Sequence, residues 1–164
     1  MGANTTVFTL LHGLLLRSLP VAAPHELVRV DVVLRDSTAR DPGGLLPYGM
    51  LQRIREAQHT LVDVSAWRMW RPAIEERDGT LRQVHGALIT GNAFELMGLR
   101  PEIGRLIVPA DDLPGGSRQE WPVVLSYAFW RERFDADPGV VGRPPRISGA
   151  GLIVVGGAPP SFHG

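Results

Sequence analysis

The chain has 164 residues, 44% hydrophobic and 21% charged, which fits one globular domain or two small lobes and excludes a disordered polymer. Seventeen acidic side chains balance seventeen basic ones, all of them Arg, and this balance removes the electrostatic basis for binding nucleic acid. The absence of Cys excludes disulfides, thiolate catalysis and Cys-ligated zinc.

The first feature is an apolar run, Val7–Leu16 (VFTLLHGLLL), followed by Arg17 and Pro20. A spanning helix needs about 20 apolar residues, so this run cannot span by itself. Three readings stand side by side on pattern alone: the end of a membrane helix, a secretory signal with a small-residue cleavage site at Val21-Ala22-Ala23, and a buried core helix. Next, ELVRVDVVL (26–34) alternates and predicts a strand, and a polar loop with Asp41-Pro42-Gly43-Gly44 follows. YGMLQRIREAQ (48–58) predicts a helix with Met50, Leu51 and Ile54 on the inner face and Arg53, Arg55 and Glu56 outside. VDVSAWRM (62–69) alternates again and predicts a strand. Asp78-Gly79 is a turn signal that predicts a hairpin of 72–77 with 81–89.

NAFELMGL (92–99) predicts a short helix capped by Asn92, with Glu95 in a capping-box position and Gly98 at its end. PADDLPGG (109–116) is a loop and the best candidate boundary. Strand WPVVLS (121–126) and helix YAFWRERF (127–134) come next. Asp137 then caps one turn that starts at Pro138 and closes at Gly142. Finally PRISG (145–149) and GLIVVGGAP (151–159) predict two strands joined near Ser148–Gly151. A strand, a short helix and a Gly-rich strand pair thus occur twice, and the fold class is α+β with short helices.

Ser126 is the residue most suggestive of chemistry, since it sits between a strand and a helix. A hydrolase elbow needs small neighbours, as in G-x-S-x-G, and here they are Val124, Leu125, Tyr127 and Ala128. The position is that of an N-cap, with Tyr127, Trp130 and Phe134 forming one buried stripe behind it. The five histidines (His12, His25, His59, His85, His163) have no H-x-x-x-H spacing and read as solvated or core groups. Asp111-Asp112 and Asp135-x-Asp137 could suggest calcium, but counting from Asp135 the loop places that need Gly and Glu hold Val140 and Arg146, so loop and cap duty is the expectation. GGLLPYG and GLIVVGGAP lack phosphate-loop spacing. Trp67, Met69 and Trp70 either form an aromatic ligand patch or, more commonly for such a cluster, pack in the core and on a half-exposed sheet face. No catalytic, cofactor-binding or metal-binding residue is expected.

Several segments together resemble one family. GANTTVFTLLHGLLLRSLP is similar to the end of the first transmembrane helix in MacB/FtsX-like ABC transporter permeases, which runs G-I-G-A-N-T-A-I-F-S, then apolar residues, then L-L-R-P-L-P; Gly2, Ala3, Asn4, Thr5, Phe8, Leu15, Leu16, Arg17, Leu19 and Pro20 match. HELVRV, NAFELMGLRPEIGR, VVLSYAFWRERFDADPGVVGR and VVGGAPPSF resemble the MacB-like periplasmic core domain, whose last motif reads V-V-G-V-x-P-P-G-F. The departures are His12 within the apolar run, Ser161 in place of a Gly, and Pro144-Pro145 in an expected strand, which must then be an edge or start late.

The resemblance implies a truncated periplasmic core domain, α+β, with short helices on mixed and antiparallel sheets in two lobes. Residues 1–19 would be the remnant of the first transmembrane helix, 20–104 the membrane-proximal lobe and 105–164 an incomplete inserted second lobe. It implies a non-catalytic, extracytoplasmic part of an ABC transporter permease in the bacterial inner membrane. Such a part couples a separate ATP-binding subunit to substrate or partner contacts. The implied partners are the remaining permease segments or a second permease copy, that ATP-binding subunit, a periplasmic partner protein, and the membrane through residues 2–20. Two rivals are a small secreted α+β binding protein or enzyme with residues 1–23 as signal peptide, and a non-functional gene fragment.

Overall fold

The computed structural model describes residues 23–30, 47–76, 78–112, 120–145 and 151–162. The apolar run at 7–16, with its three readings, and most of the strand expected at 145–149 lie outside the described residues. Of the strand expected at 26–34, the described part forms no strand. Pro24–Glu26 is a single 3₁₀ turn, closed by Glu26 N donating to Ala23 O, and 27–30 runs on without a ladder. Alternation gave that segment the pattern of a strand, but its described part is exposed, Val28 to 64% and Val30 to 55%.

Helix α1 is Tyr48–Ala57, as its periodicity predicts, with Leu51 buried and Ile54 half-buried. Arg55 departs from the expectation. It lies four residues after Leu51, on the same face, and turns inward. The strand expected at 62–69 is also shorter. Leu61 N donates to Gln58 Oε1 and Val64 N to Asp63 Oδ1, so side chains hold the backbone in a loop, with Val62 98% exposed.

Strand β1 is Trp67–Trp70, β2 is Ala73–Glu75, β3 is Leu81–Gln83 and β4 is Gly86–Ile89. β1 pairs with β4 and β2 with β3, both antiparallel, as two two-stranded sheets. Trp67 faces Ile89, Trp70 faces Gly86, Ala73 faces Gln83 and Glu75 faces Leu81, so one register runs through both pairs. The break is at Pro72, which has no N–H. Its carbonyl still accepts from Val84 N at 2.9 Å, and the four strands form one long ribbon. The Asp78-Gly79 turn closes it as expected: Gly79 N donates to Glu76 O, Glu76 N to Thr80 O, and Gly79 takes φ +81°.

Helix α2 is one turn, Ala93–Leu96. It ends as the sequence predicts. Leu99 N donates to Phe94 O and Gly98 N to Glu95 O, with Gly98 at φ +65°, which is the Schellman arrangement. The expected Asn92 cap and capping box with Glu95 are absent: Asn92 makes no side-chain cap bond to the helix. Its side chain is committed elsewhere.

The second sheet has three strands in the order β5-β7-β6: Ile103–Gly104, Leu152–Gly157 and Trp121–Leu125. β7 is antiparallel to β5 and parallel to β6. Val123 faces Val154 while Val124 faces Gly156, which makes Val155 the extra residue of a bulge in β7. Gly156 lies where β5 crosses most closely; a Cβ there would overlap the carbonyl oxygens of Ile103 and Arg105. Helix α3, Tyr127–Phe134, connects β6 toward β7 and packs on the sheet. The core comprises Leu125, Trp130, Val140 and Val154, with Tyr127, Phe129 and Phe134 packed against it. Trp130 is buried yet satisfied, its Nε1 donating to Asp137 O at 2.9 Å.

Candidate interaction surface

Each residue singled out by the sequence can now be placed. Ser126 caps α3, its Oγ accepting from Phe129 N at 3.3 Å. Asp137 caps the 3₁₀ turn Pro138–Val140 through Gly139 N at 2.8 Å, and Gly142 closes it at φ +83°. Asp135 sits just beyond α3 in the left-handed region, at φ 51°. Asp111 is buried and accepts two bonds from Arg105, at 2.6 and 3.1 Å, as well as one from Val108 N. The Arg105 guanidinium is raised above its ordinary value, chiefly by that bond to Asp111. Asp112 accepts from Gly91 N and Tyr48 Oη. Both aspartates thus do loop duty. His25, His59 and His85 are exposed, while His12 and His163 lie outside the described residues. Among the described residues no group of three His, Asp or Glu side chains could hold a metal ion.

Asn92 is the hub of a network that the sequence reading missed. Its Oδ1 accepts from Arg55 Nη2 at 2.7 Å and from Thr90 Oγ1 at 2.8 Å, and its Nδ2 donates to Asp63 Oδ2 at 2.6 Å and to Val64 O at 3.1 Å. Two donors and two acceptors use the full capacity of a side-chain amide, which also fixes which end is oxygen. Arg55 Nε donates to Val64 O at 2.7 Å. Because the Thr90 proton goes to Asn92, the 3.0 Å contact with Ser65 must have Ser65 as donor, and Thr90 Oγ1 also accepts from Ala66 N. The network joins α1, the 59–66 loop and the end of β4, and so roots the ribbon. The i, i+4 spacing of Leu51 and Arg55 was the one sequence signal available for it.

At its far end the ribbon meets α3 through charge. Glu76 Oε1 accepts from Arg82 Nε at 2.7 Å, Glu76 Oε2 pairs with Arg133 Nη1, and Arg133 Nη2 donates to Glu75 O at 2.7 Å. The bond from Arg82, with further help from Arg133, holds the Glu76 carboxyl below the usual glutamate range against a smaller opposing effect of desolvation. Asp78 is likewise lowered, first by the Thr80 hydroxyl and then by the Thr80 N–H.

Toward the tip one face of the ribbon is buried, while at the root both faces are open, Arg68 and Leu88 being exposed at even positions. Pro72 and Ile74, at even positions, are buried, Ile74 to 3% exposure. Trp67 and Met69, at odd positions, are 69% and 51% exposed, beside exposed Ala87 and half-buried Ile89. Trp70 points with the inner set and is half-buried. The aromatic cluster noted in the sequence is therefore split, Trp67 and Met69 exposed on one face and Trp70 half-buried on the other. The root half of the ribbon, 67–71 with 85–89, carries Arg68, Arg71 and His85 and no acidic residue.

A family profile described as the MacB-like periplasmic core domain matches residues 1–164. The chain belongs to that family. Membership makes it an extracytoplasmic domain of the ABC transporter permease class, whose domains are non-catalytic transporter components and whose whole proteins sit in the inner membrane. The α+β arrangement of few helices and small sheets is consistent with a MacB-like periplasmic core domain. No curated protein and no solved structure matches the chain. Among the described residues no helix is long and apolar enough to cross a membrane.

Proposed function

We propose that this MacB-like periplasmic core domain couples a separate ATP-binding subunit to contacts with substrate or a periplasmic partner during export, and does no chemistry of its own. The observation that carries the reading is the family match along the whole 164 residues. The polar side chains support it: Ser126, Asp111, Asp112, Asp137 and Asn92, the groups best suited to catalysis, are all engaged in holding backbone or one another. Attachment to the membrane through residues 2–20, and association with other permease segments or a second permease copy, belong to the same proposal. So does a lobe division near 104/105. Under that division β5 links the lobes, since Ile103 and Gly104 pair with Gly157 and Gly156.

The test is purification of the chain from detergent-solubilised membranes of its native cells, with the N-terminus sequenced and co-purifying proteins identified. An uncleaved N-terminus and recovery of an ATP-binding subunit with further permease segments are expected. A chain that begins near Ala23 and is found wholly in the soluble extracytoplasmic fraction, with no ATP-binding subunit, would overturn the reading in favour of a small secreted protein.

A further inference from the structure

The two ends of the ribbon are held by different chemistry. At the root, Asn92 and Thr90 are buried and every polar atom of the amide is paired, with Arg55, Asp63 and Val64 converging on it. The bonds of the Asn92 amide are short-ranged and the amide carries no net charge, so salt affects them little. Arg55 and Asp63 also form an ion pair at 3.6 Å, 23% and 43% exposed, but the root keeps its amide bonds when that pair is screened. At the tip the polar hold on α3 among the described residues is one guanidinium, that of Arg133, on the Glu76 carboxylate and the Glu75 carbonyl. The Glu76 and Arg133 side chains are each 22% exposed, so ions and water reach the pair. Between the two ends the ribbon is only two strands wide, and the rung at Pro72 carries a single bond, from Val84 N. Bending there breaks no second bond, because Pro72 has no proton to donate.

We propose that Arg133 and Glu76 form a releasable latch between the ribbon and α3, and that when it opens the ribbon moves as an arm about its Asn92 root. The latch spans the two stretches assigned to separate lobes, since Glu76 lies before residue 104 and Arg133 after it. Arg82 stays with the arm: it sits on β3, and its bond to Glu76 keeps the carboxylate in place for Arg133 to rebind. Ile74, buried beneath the tip, sets the resting state to closed, and the ion pair tunes how often it opens. The use of this motion in coupling rests on the function proposed above; the latch itself does not.

The chain has no Cys, so paired labels can be placed at will. Leu81→Cys with Glu132→Cys spans the latch, Leu88→Cys with Gln52→Cys spans the root, and all four native side chains are exposed. Spin-label distances would be measured in the full chain at low salt, at about 1 M salt, and with Glu76→Gln or Arg133→Lys. The expected result is a longer-distance population across the latch that rises about tenfold with Glu76→Gln. It should rise also with salt in the otherwise native chain and stay low with Arg133→Lys, while the root pair is unchanged. The salt series keeps the test decisive if a variant fails to fold. A latch distance indifferent to both salt and Glu76→Gln would overturn the proposal. So would root and latch distances that lengthen together, which is unfolding. Either failure would leave the family-based function standing, since that is decided by the membrane purification.

Discussion

The three-stranded sheet with α3 and the long ribbon are assembled on different principles. In the first, Leu125, Trp130, Val140 and Val154 close over one another, and the strands follow from apolar runs bounded by turn residues. In the second, the strands are short and half-exposed, and position comes from polar side chains at the two ends, Asn92 at one and Glu76 at the other. The difference teaches where stability and movement reside. A close-packed apolar unit resists partial opening, whereas a two-stranded arm is marginal alone and takes its order from its anchors.

The contrast can be broken most severely at Gly156. Gly156→Ala places a methyl against the backbone of β5, and a loss of about 3 kcal/mol or more is expected, read by urea unfolding; a loss below about 1 kcal/mol would mean that β5 and β7 can separate without disturbing the core. Second comes the root. Asn92→Asp removes both amide donors and sets a carboxylate beside Asp63, with an expected cost of about 2–4 kcal/mol. Amide exchange across 63–66 should rise with it while β6 and β7 stay protected; equal loss in both regions would erase the distinction drawn here. Third, Ser126→Ala should cost about 1 kcal/mol and Ser126→Asp should recover most of it, since either oxygen caps α3. Thermal unfolding of the two variants side by side decides the point.

The two cap expectations show what a sequence can and cannot reveal. Ser126 and Asn92 are both polar residues directly before an apolar stretch, and the pattern predicts a cap at each. Ser126 is one, because its partner Phe129 N is three residues away and helix α3 is long enough to need it. Asn92 precedes a single helical turn, and its partners Arg55 and Asp63 are 37 and 29 residues away. No local pattern encodes contacts at that separation. The hairpin turn at Asp78-Gly79 and the Schellman end at Gly98 were legible for the same reason as Ser126, being conformational demands met by one or two residues. The strand pattern at 62–69 misled in its first half because Gln58 and Asp63 offered the backbone nearer partners than a ladder. The split of Trp67 from Trp70 follows from the pleat, yet which side faces water depended on Ile74 and Pro72, beyond the cluster itself.

The smallest effect on global stability is expected from acid at the ribbon tip, where the opening is local. Glu76 has a folded value held below its ordinary one, so its contribution is complete above the unfolded value of about 4.3 and fades as pH falls through the lower folded value. Loosening of the tip should therefore begin only below about pH 4, and Glu76→Gln should remove that part of the pH dependence while leaving the root network as it was. The measurement is amide exchange at 73–75 and 81–83 against pH. Loosening that began near neutrality would show that Glu76 is not the group responsible.

The central strand of the three-stranded sheet is also its last in the chain, with β7 lying between β5 and β6. During synthesis α1 and the ribbon can close as soon as residue 92 is free, whereas β5 and β6 must wait for residues 152–157 to emerge before either has a neighbour. Folding of this half is a late, long-range event with slow closure, and until then two unpaired strand edges are open to capture by other chains. A ribosome stalled shortly before Leu152 should thus hold a nascent chain with the Asn92 root formed, the ribbon tip free and no sheet.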